Sequence, residues 1–377
     1  MKKIFSKFIA LSIILALGSC AYVDDFIGNP DSDNDIKKLR FVDEYVIPDA
    51  TVFENTIVGG LSGIDYAHGN WYMISDDPVS ARFYTASISY NMDGFSAMDI
   101  QSVTTFKDNR GNNLNEGISD PEAIRYDDGY IVWTSEGNVN NGLSPFVSTA
   151  SAQGMFQRET FLPDRYAPKP GNDDFGPRQN GVFEGLSLSV DGEGYWVAME
   201  LPLKEDGAAP TLEDTESPIR IAYINRATGN FGREIAYELG PVERPATNGT
   251  SFELNGVVEV LEYKDDKFLV LERSFSTGYE DGGNTVRIFD VDATKATDVQ
   301  NIESLKGAEY TPVTKKLLFD FEEIRDQLTD GIVDNIEGIT FGPDLGNGNK
   351  SLVLVADNNF SAFGPQLNQF ILFEVLE

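Results

Sequence analysis

Polar and apolar positions follow one pattern that recurs five times along this chain. Each copy opens with a polar residue, a small residue and an aliphatic run, and a β-rich run ending near a carboxylate follows a tight turn. The openings are Ser62-Gly63-Ile64, Glu122-Ala123-Ile124, Glu184-Gly185-Leu186, Asn255-Gly256-Val257 and Glu337-Gly338-Ile339. The second runs end at Asp76, Glu136, Glu200, Glu272 and Asp357. This pattern predicts five β-hairpins in a repeat architecture.

A third strand is predicted after every hairpin, and a fourth after the first four third strands. The fifth unit lacks its fourth strand, because the sequence ends at Glu377, but a matching strand at Leu39–Ile47 is left over. We therefore predict an all-β fold, a five-bladed β-propeller with four-stranded blades, in which this N-terminal strand closes the last blade. A sandwich, or six blades with one degenerate, is the alternative.

One face of such a propeller should carry the function. The first strand of each blade starts there and the second strand ends there, so the polar positions of every repeat converge on one mouth of the ring. The long predicted loops lie on the same face: 163–181, 202–218, 274–284, 322–334 and 359–368. Long loops concentrated on one face are typical of a binding face.

Eight carboxylates are expected at this mouth. An inner set, predicted to be catalytic, comprises Glu122, Glu184 and Glu337, beside Ser62 and Asn255. The second set, predicted to bind metal, comprises Asp76, Glu136, Glu200, Glu272 and Asp357. Carboxylates this close cannot all ionise without cations or strong hydrogen bonds, and hard oxygen ligands favour Ca²⁺ or Mg²⁺. We expect Ca²⁺; a purely structural role within each blade is the competing interpretation.

Arginine offers the other counter-charge. Arg82, Arg220 and Arg287 occupy equivalent places at the start of the third strand in three blades, and Arg273 directly follows Glu272. The guanidinium group matches anionic oxygens with bidentate hydrogen bonds. We therefore predict that these four arginines bind an anionic substrate.

Several chemistries are disfavoured by composition. The chain has one histidine, His68 in a predicted turn, and one cysteine, so a serine triad and a zinc site both lack residues. It contains 29 basic and 61 acidic residues, a net charge of −32, which repels nucleic acid. The expected partner is a small anionic ester, and we expect a monomer.

The N-terminus reads as an export signal. Three lysines precede an apolar run from Phe8 to Leu17, which is too short to span a bilayer, and Leu17-Gly18-Ser19-Cys20 resembles a bacterial lipobox. We predict a lipoprotein signal peptide over residues 1–20 with Cys20 as the lipidation site, an acidic tether over 21–38, and one propeller domain over 39–377. The expected location is extracytoplasmic, with the lipid on the cell envelope, periplasmic or on the outer-membrane surface.

Longer segments resemble a known family. The runs GGLSGIDY, DPEAIRY, FEGLSLS, NGVVEVLEY and DNIEGITFGPDL, with the strands that follow them, look like the phytase-like family, whose members are described by an esterase-like activity of phytase. The resemblance extends from about residue 55 to about 375. It implies an exported hydrolase of ester or phosphoester bonds, with metal dependence by analogy to propeller phytases.

Three functions remain open. The first is metal-assisted hydrolysis of phosphate esters, in which a carboxylate-bound Ca²⁺ activates water and the arginines hold the anionic oxygens. The second is glycoside hydrolysis by a pair of carboxylates. The third is a non-enzymatic surface lipoprotein that binds a ligand through a calcium-stabilised face.

Overall fold

The computed structural model describes residues 35–377 apart from positions 115, 248, 250, 251 and 363–365. The predicted signal peptide, the predicted lipidation site Cys20 and most of the predicted tether over 21–38 lie outside the described residues. Among the described residues, the helical content is confined to short 3₁₀ turns: Val139–Asn141, Asp164–Tyr166, Phe321–Glu323, Arg325–Gln327, Thr329–Gly331 and Asn359–Ser361. Within the described part of the chain, none of these turns has the length and apolar character to cross a membrane.

The strands form five antiparallel four-stranded sheets in a ring. Before the first blade come β1 (Lys38–Ile47) and a small hairpin of β2 (Val52–Phe53) and β3 (Thr56–Ile57). Blade 1 contains β4 (Gly63–Ala67), β5 (Asn70–Ser75), β6 (Arg82–Asn91) and β7 (Gly94–Thr105). Blade 2 contains β8 (Pro121–Asp127), β9 (Tyr130–Ser135), β10 (Phe146–Ser151) and β11 (Phe156–Glu159). Blade 3 contains β12 (Phe183–Leu188), β13 (Gly194–Met199), β14 (Pro218–Asn225) and β15 (Phe231–Glu238).

Blade 4 contains β16 (Glu253–Lys264), β17 (Lys267–Ser276), β18 (Asn284–Asp292) and β19 (Thr314–Asp320). Blade 5 contains β20 (Ile336–Gly342), β21 (Ser351–Ala356) and β22 (Asn368–Leu376), and its fourth strand is β1. In this pairing Leu39 lies opposite Val375 and Ile47 lies opposite Asn368. The predicted five blades and the closure by the N-terminal strand are therefore confirmed.

The inner strands pack closely because small residues lie where they meet. A Cβ on Gly63 would come within 2.7 Å of the backbone oxygen of Glu122, and one on Gly338 would come within 3.0 Å of Gly63. Each inner strand has a completely buried aliphatic residue at the equivalent position: Ile64, Ile124, Leu186, Val260 and Ile339. In four strands a small residue precedes it, and in β16 the preceding residue is Glu259. The apolar core divides into clusters between neighbouring blades, which hold the strand ends in fixed positions around the axis.

An ion pair occupies the central channel. Arg125 of β8 donates from Nη2 to Oε2 of Glu259 in β16 at 2.8 Å, and both side chains are buried. Arg125 also donates to the backbone oxygens of Ile64 and Ile339, while Glu259 accepts from the backbone N–H of Leu186. The pair therefore contacts the inner strands of all five blades and separates the two mouths of the propeller.

Candidate functional site

Three β-bulges place the side chains of three glutamates at the mouth. The register of the inner pairing shifts between Pro121 and Ile124 in β8, between Phe183 and Leu186 in β12, and between Ile336 and Gly338 in β20. Each shift is a β-bulge, which leaves a residue without a cross-strand partner and redirects its side chain. The residues at these bulges are Glu122, Glu184 and Glu337, the predicted catalytic set.

Blades 1, 2 and 3 bring five carboxylates together. We call this group the acidic half of the mouth: Asp76, Asp120, Glu122, Glu136 and Glu184. One oxygen each from Asp76, Asp120 and Glu122 lies within 4.8 Å of the others, and the same holds for Glu122, Glu136 and Glu184. Glu122 belongs to both groups. Asp120 was not predicted from the sequence, because it precedes the repeated motif by two residues.

Burial dominates the electrostatics of the acidic half. Removal from water raises the pKa values of Asp76, Glu122 and Glu184 well above their usual range, and neighbouring carboxylates raise them further. The same causes raise the pKa of Glu136 to about 8, although the N–H of Val182 donates to it at 2.5 Å. Without a cation these groups therefore retain protons near neutral pH.

Blades 3, 4 and 5 surround one arginine side chain. We call this group of residues the arginine half of the mouth: Glu200, Arg273, Asn335, Glu337 and Asp357. Arg273 donates from Nη1 to Asn335 Oδ1 at 2.5 Å and from Nη2 to Glu200 Oε1 at 3.0 Å. Its Nη2 lies 3.6 Å from Glu337 Oε1, which also accepts from Asn335 Nδ2 at 2.9 Å. The guanidinium therefore links carboxylates from both neighbouring blades.

The carboxylates of the arginine half also bind protons more tightly than usual. Burial raises the pKa of Glu337 to about 8, against the opposing effect of Arg273. Burial raises the pKa values of Glu200 and Asp357 to about 7, again against Arg273. At neutral pH Glu337 is therefore a buried carboxylic acid beside a fixed positive charge, a suitable arrangement for a general acid.

The fourth blade departs from the repeat. Its bulge falls between Val257 and Glu259, so Val258 occupies the place that Glu337 has in blade 5. Before the bulge, Val257 pairs with Glu272 in blade 4, and Ile336 pairs with Ala356 in blade 5. Glu272 is therefore equivalent to Ala356, and the next residue, Arg273, is equivalent to Asp357. The sequence alignment that placed Asn255 and Glu272 in the ring is therefore shifted, by three residues in β16 and by one in β17.

Sequence comparison places the chain in a family. The model of the Phytase-like family, described as esterase-like activity of phytase, matches residues 56–360, most of the chain. The chain belongs to this family. A comparison with curated proteins finds no match.

Solved structures similar to this Phytase-like protein include three glycoside hydrolases. The GH43 endo-arabinanase from Bacillus licheniformis is 14% identical, with 84% of this chain and 94% of that chain covered and a TM-score of 0.38. An endo-1,4-beta-xylanase from Bacteroides thetaiotaomicron is 10% identical, with 85% and 95% covered and a TM-score of 0.42. The GH62 alpha-L-arabinofuranosidase domain from Coprinopsis cinerea is 10% identical, with 90% and 97% covered and a TM-score of 0.43.

The displaced Glu272 of the Phytase-like protein has its own partners. It accepts hydrogen bonds from Tyr237 Oη at 2.5 Å, from Lys315 Nζ at 2.5 Å and from Asn255 Nδ2 at 2.9 Å. Tyr237 belongs to β15 of blade 3 and Lys315 to β19 of blade 4. The structure therefore does not bring Glu272, predicted as a metal ligand, together with the mouth carboxylates.

The three equivalent arginines also lie apart from the mouth carboxylates. Arg82 pairs with Asp77 and donates to the backbone oxygens of Ser80 and Ile57. Arg287 pairs with Glu243 and Asp320. Each therefore ties a loop to its blade, which accounts for their recurrence at one position.

Arg220 is the most enclosed of the three. Its side chain has no exposed surface and pairs with Asp206 at 2.7 Å and Glu234 at 2.8 Å. It also donates to the backbone oxygens of Val299 and Ile302, in the long loop between β18 and β19. Of the four predicted substrate-binding arginines, Arg273 is the one that the structure places among the mouth carboxylates.

The acidic half fits a hard divalent cation. Both oxygen groups consist of carboxylate oxygens, the ligand type that Ca²⁺ prefers. Two ligands of one calcium ion are at most about 4.8 Å apart at a Ca–O distance of about 2.4 Å, and the oxygens of each group lie within that limit of one another. Asp76 Oδ1 is inaccessible to solvent and has no hydrogen-bond partner among the described residues, so a cation would satisfy it.

Proposed function

We propose that this Phytase-like protein is a metal-assisted hydrolase of small phosphate esters, with its active site at the acidic mouth. The observation that carries the proposal is the division of that mouth. Blades 1 to 3 supply converging carboxylate oxygens, and blade 4 supplies one guanidinium beside them. Family membership supports hydrolysis of an ester bond.

The acidic half would hold the cation, which we propose to be Ca²⁺. Either oxygen group can supply its ligands in this proposal, Asp76, Asp120 and Glu122 or Glu122, Glu136 and Glu184, and Glu122 contributes to both. When bound, the metal polarises a phosphoryl oxygen and lowers the pKa of a coordinated water. The cation also offsets the burial and the mutual repulsion that keep these carboxylates protonated.

Arg273 would hold the substrate. Its guanidinium is always charged, and hydrogen bonds to Glu200 and Asn335 fix its plane. Its Nε is buried and has no hydrogen-bond partner among the described residues. A phosphoryl oxygen on this group would face the carboxylate oxygens of the acidic half.

Glu337 would supply the proton that the leaving alkoxide requires. Its Oε1 accepts from Asn335, which leaves Oε2 to carry the proton. A pKa of about 8 keeps that proton in place at neutral pH. This separates the three predicted catalytic glutamates by role, because Glu122 and Glu184 lie in the metal-binding groups and Glu337 does not.

An activity screen with matched variants tests the proposal. Purified protein is assayed on p-nitrophenyl phosphate, phytate and p-nitrophenyl acetate, each with added Ca²⁺ or with chelator. We expect calcium-dependent phosphatase activity that Glu122→Gln abolishes, while the exposed control Glu323→Gln retains it. Hydrolysis of the acetate alone, without a calcium effect, would indicate a general esterase. No hydrolysis together with calcium binding would indicate a binding protein.

A further inference from the structure

The face opposite the acidic mouth contains a cavity of about 390 Å³, which we call the lower cavity. It lies at the other end of the inner strands, beside the tight turns. All five blades contribute to its wall: Tyr66, Tyr126, Leu188, Tyr263 and Phe341. These five side chains are half-buried, so rings from four blades border one concave space.

Polar groups form the floor of the lower cavity. Arg125 is 1% exposed, and its Nε is inaccessible and has no hydrogen-bond partner among the described residues. Asp65 accepts from the N–H of Tyr126 at 2.7 Å and from the hydroxyl of Thr340 at 3.1 Å. The Arg125–Glu259 pair closes this floor toward the mouth, so the cavity is blind.

A salt-bridged group lies at the rim. Arg226 Nε is 3.0 Å from Asp127 Oδ2, and Arg226 Nη2 is 3.7 Å from Asp128 Oδ2. The side chain of Arg226 is 37% exposed and that of Asp128 is 88% exposed. The rim therefore offers donors and acceptors to a ligand without presenting an isolated charge.

We propose that the lower cavity binds a neutral sugar ring. A pyranose presents an apolar face that packs on aromatic rings and a rim of hydroxyl groups that both donate and accept. Its hydroxyl groups would donate to Asp127 and Asp128 and accept from Arg226 at the rim. The volume lies in the range of small-molecule pockets and accommodates one or two rings.

Charged ligands fit this cavity less well. An organic cation would lie against Arg125 in the floor and Arg226 at the rim. An anion would meet the carboxylates of Asp65, Asp127 and Asp128. A neutral polyol avoids both penalties and can use both kinds of group as hydrogen-bond partners.

Ligand-observed NMR on the purified protein tests this inference. The probes are neutral monosaccharides and disaccharides, with choline and inorganic phosphate as charged probes. We expect at least one sugar to bind with a Kd of about 0.1–10 mM, as is typical of so small a ligand. Leu188→Trp places an indole in the cavity wall and should weaken binding at least tenfold. The control Leu143→Trp, in the loop between β9 and β10 on the mouth face, should leave binding unchanged.

Three results would overturn the inference. The first is the absence of sugar binding up to about 50 mM, and the second is binding of choline or phosphate alone. The third is sugar binding that survives Leu188→Trp but is lost in Glu122→Gln, which would locate the sugar at the mouth. Because the lower cavity is closed from the mouth, Glu122→Gln should leave sugar binding unchanged whether or not the protein is a hydrolase.

Discussion

Arg125 Nη2 and Glu259 Oε2 meet at 2.8 Å on the axis of the propeller. Both side chains are almost completely buried, and together they hydrogen-bond to β4, β12 and β20 as well as joining β8 to β16. Burial raises the pKa of Glu259 to about 7, and Arg125 opposes that rise. The fold therefore depends on the pair remaining intact, because either partner alone is a buried charge without compensation.

Replacing Arg125 should be strongly destabilising. We expect Arg125→Met to lower the free energy of unfolding by about 3–5 kcal/mol, because it leaves Glu259 without its counter-charge. The double variant Arg125→Met with Glu259→Gln should recover part of that loss, and the exposed control Arg110→Met should cost less than about 1 kcal/mol. Urea denaturation measures all three. A cost below about 1 kcal/mol for Arg125→Met would show that the pair is dispensable.

Calcium should stabilise the protein in a pH-dependent way. In the metal-free protein the raised pKa of Glu136, about 8, means that the folded state holds a proton that the unfolded state releases above about pH 4.5. Stability of the metal-free protein should therefore fall as the pH rises from about 4.5 to about 8. Calcium binds the deprotonated groups, so its stabilising effect should grow over that interval.

Melting temperatures with calcium or chelator, at several pH values, measure this effect. Glu122→Gln should reduce the calcium-induced rise in melting temperature without unfolding the protein. A purely structural cluster gives the opposite result: calcium has little effect at any pH, and the neutral substitution is itself stabilising because it relieves repulsion.

Arginine substitutions should separate substrate binding from structure. Arg273→Gln should raise KM for a phosphate ester by about tenfold or more, the cost of one charge-assisted contact, with little effect on KM for a neutral acyl ester. Arg287→Gln should lower the melting temperature and leave KM unchanged, because its partners are Glu243 and Asp320. Steady-state kinetics on both substrates test this. Equal KM changes on both substrates in Arg273→Gln would remove the phosphate-binding role.

The closure of the ring should weaken in acid. Glu374 of β22 accepts from Arg40 of β1 at 2.5 Å, and hydrogen bonds from Arg40, Asn347 and Asn349 lower the pKa of Glu374 to about 2. This depressed pKa gives stability that is present above about pH 4.5 and lost as the pH falls through about 2. Glu374→Gln should therefore cost about 1–2 kcal/mol at neutral pH and progressively less toward pH 2. Denaturation at several pH values measures it; a constant difference would exclude this linkage.

Membrane attachment should depend on Cys20. Cys20→Ser should move the protein from the membrane fraction to the soluble fraction of an expressing bacterium, because no lipid can then be attached. The melting temperature of the folded part should not change. Fractionation followed by immunoblotting measures the distribution, and continued sedimentation with membranes would show that another feature holds the protein there.

Blade number and ring closure were predictable because each strand repeats a local pattern, whereas the site was predictable only in part. The fourth blade was misaligned because Asn255-Gly256-Val257 imitates the repeated triplet, and the bulge at Val258 that sets the register depends on pairing with β17. Arg125 and Glu259 gave no signal, since their partnership joins strands that are distant in sequence. Arg82, Arg220 and Arg287 recur because three blades share one structural need, which the sequence does not distinguish from recurrence for binding.

The departure of the fourth blade from the repeat has a consequence for stereochemistry. Five identical blades would offer a ligand five equivalent rotational settings, but Val258 and Arg273 leave the mouth with no rotational symmetry. An ester bound with its anionic group on Arg273 would present one side to Glu200 and the other to Glu337. Two mirror-image esters would then meet different neighbours, so the propeller would distinguish enantiomers although its framework is built from near-identical parts.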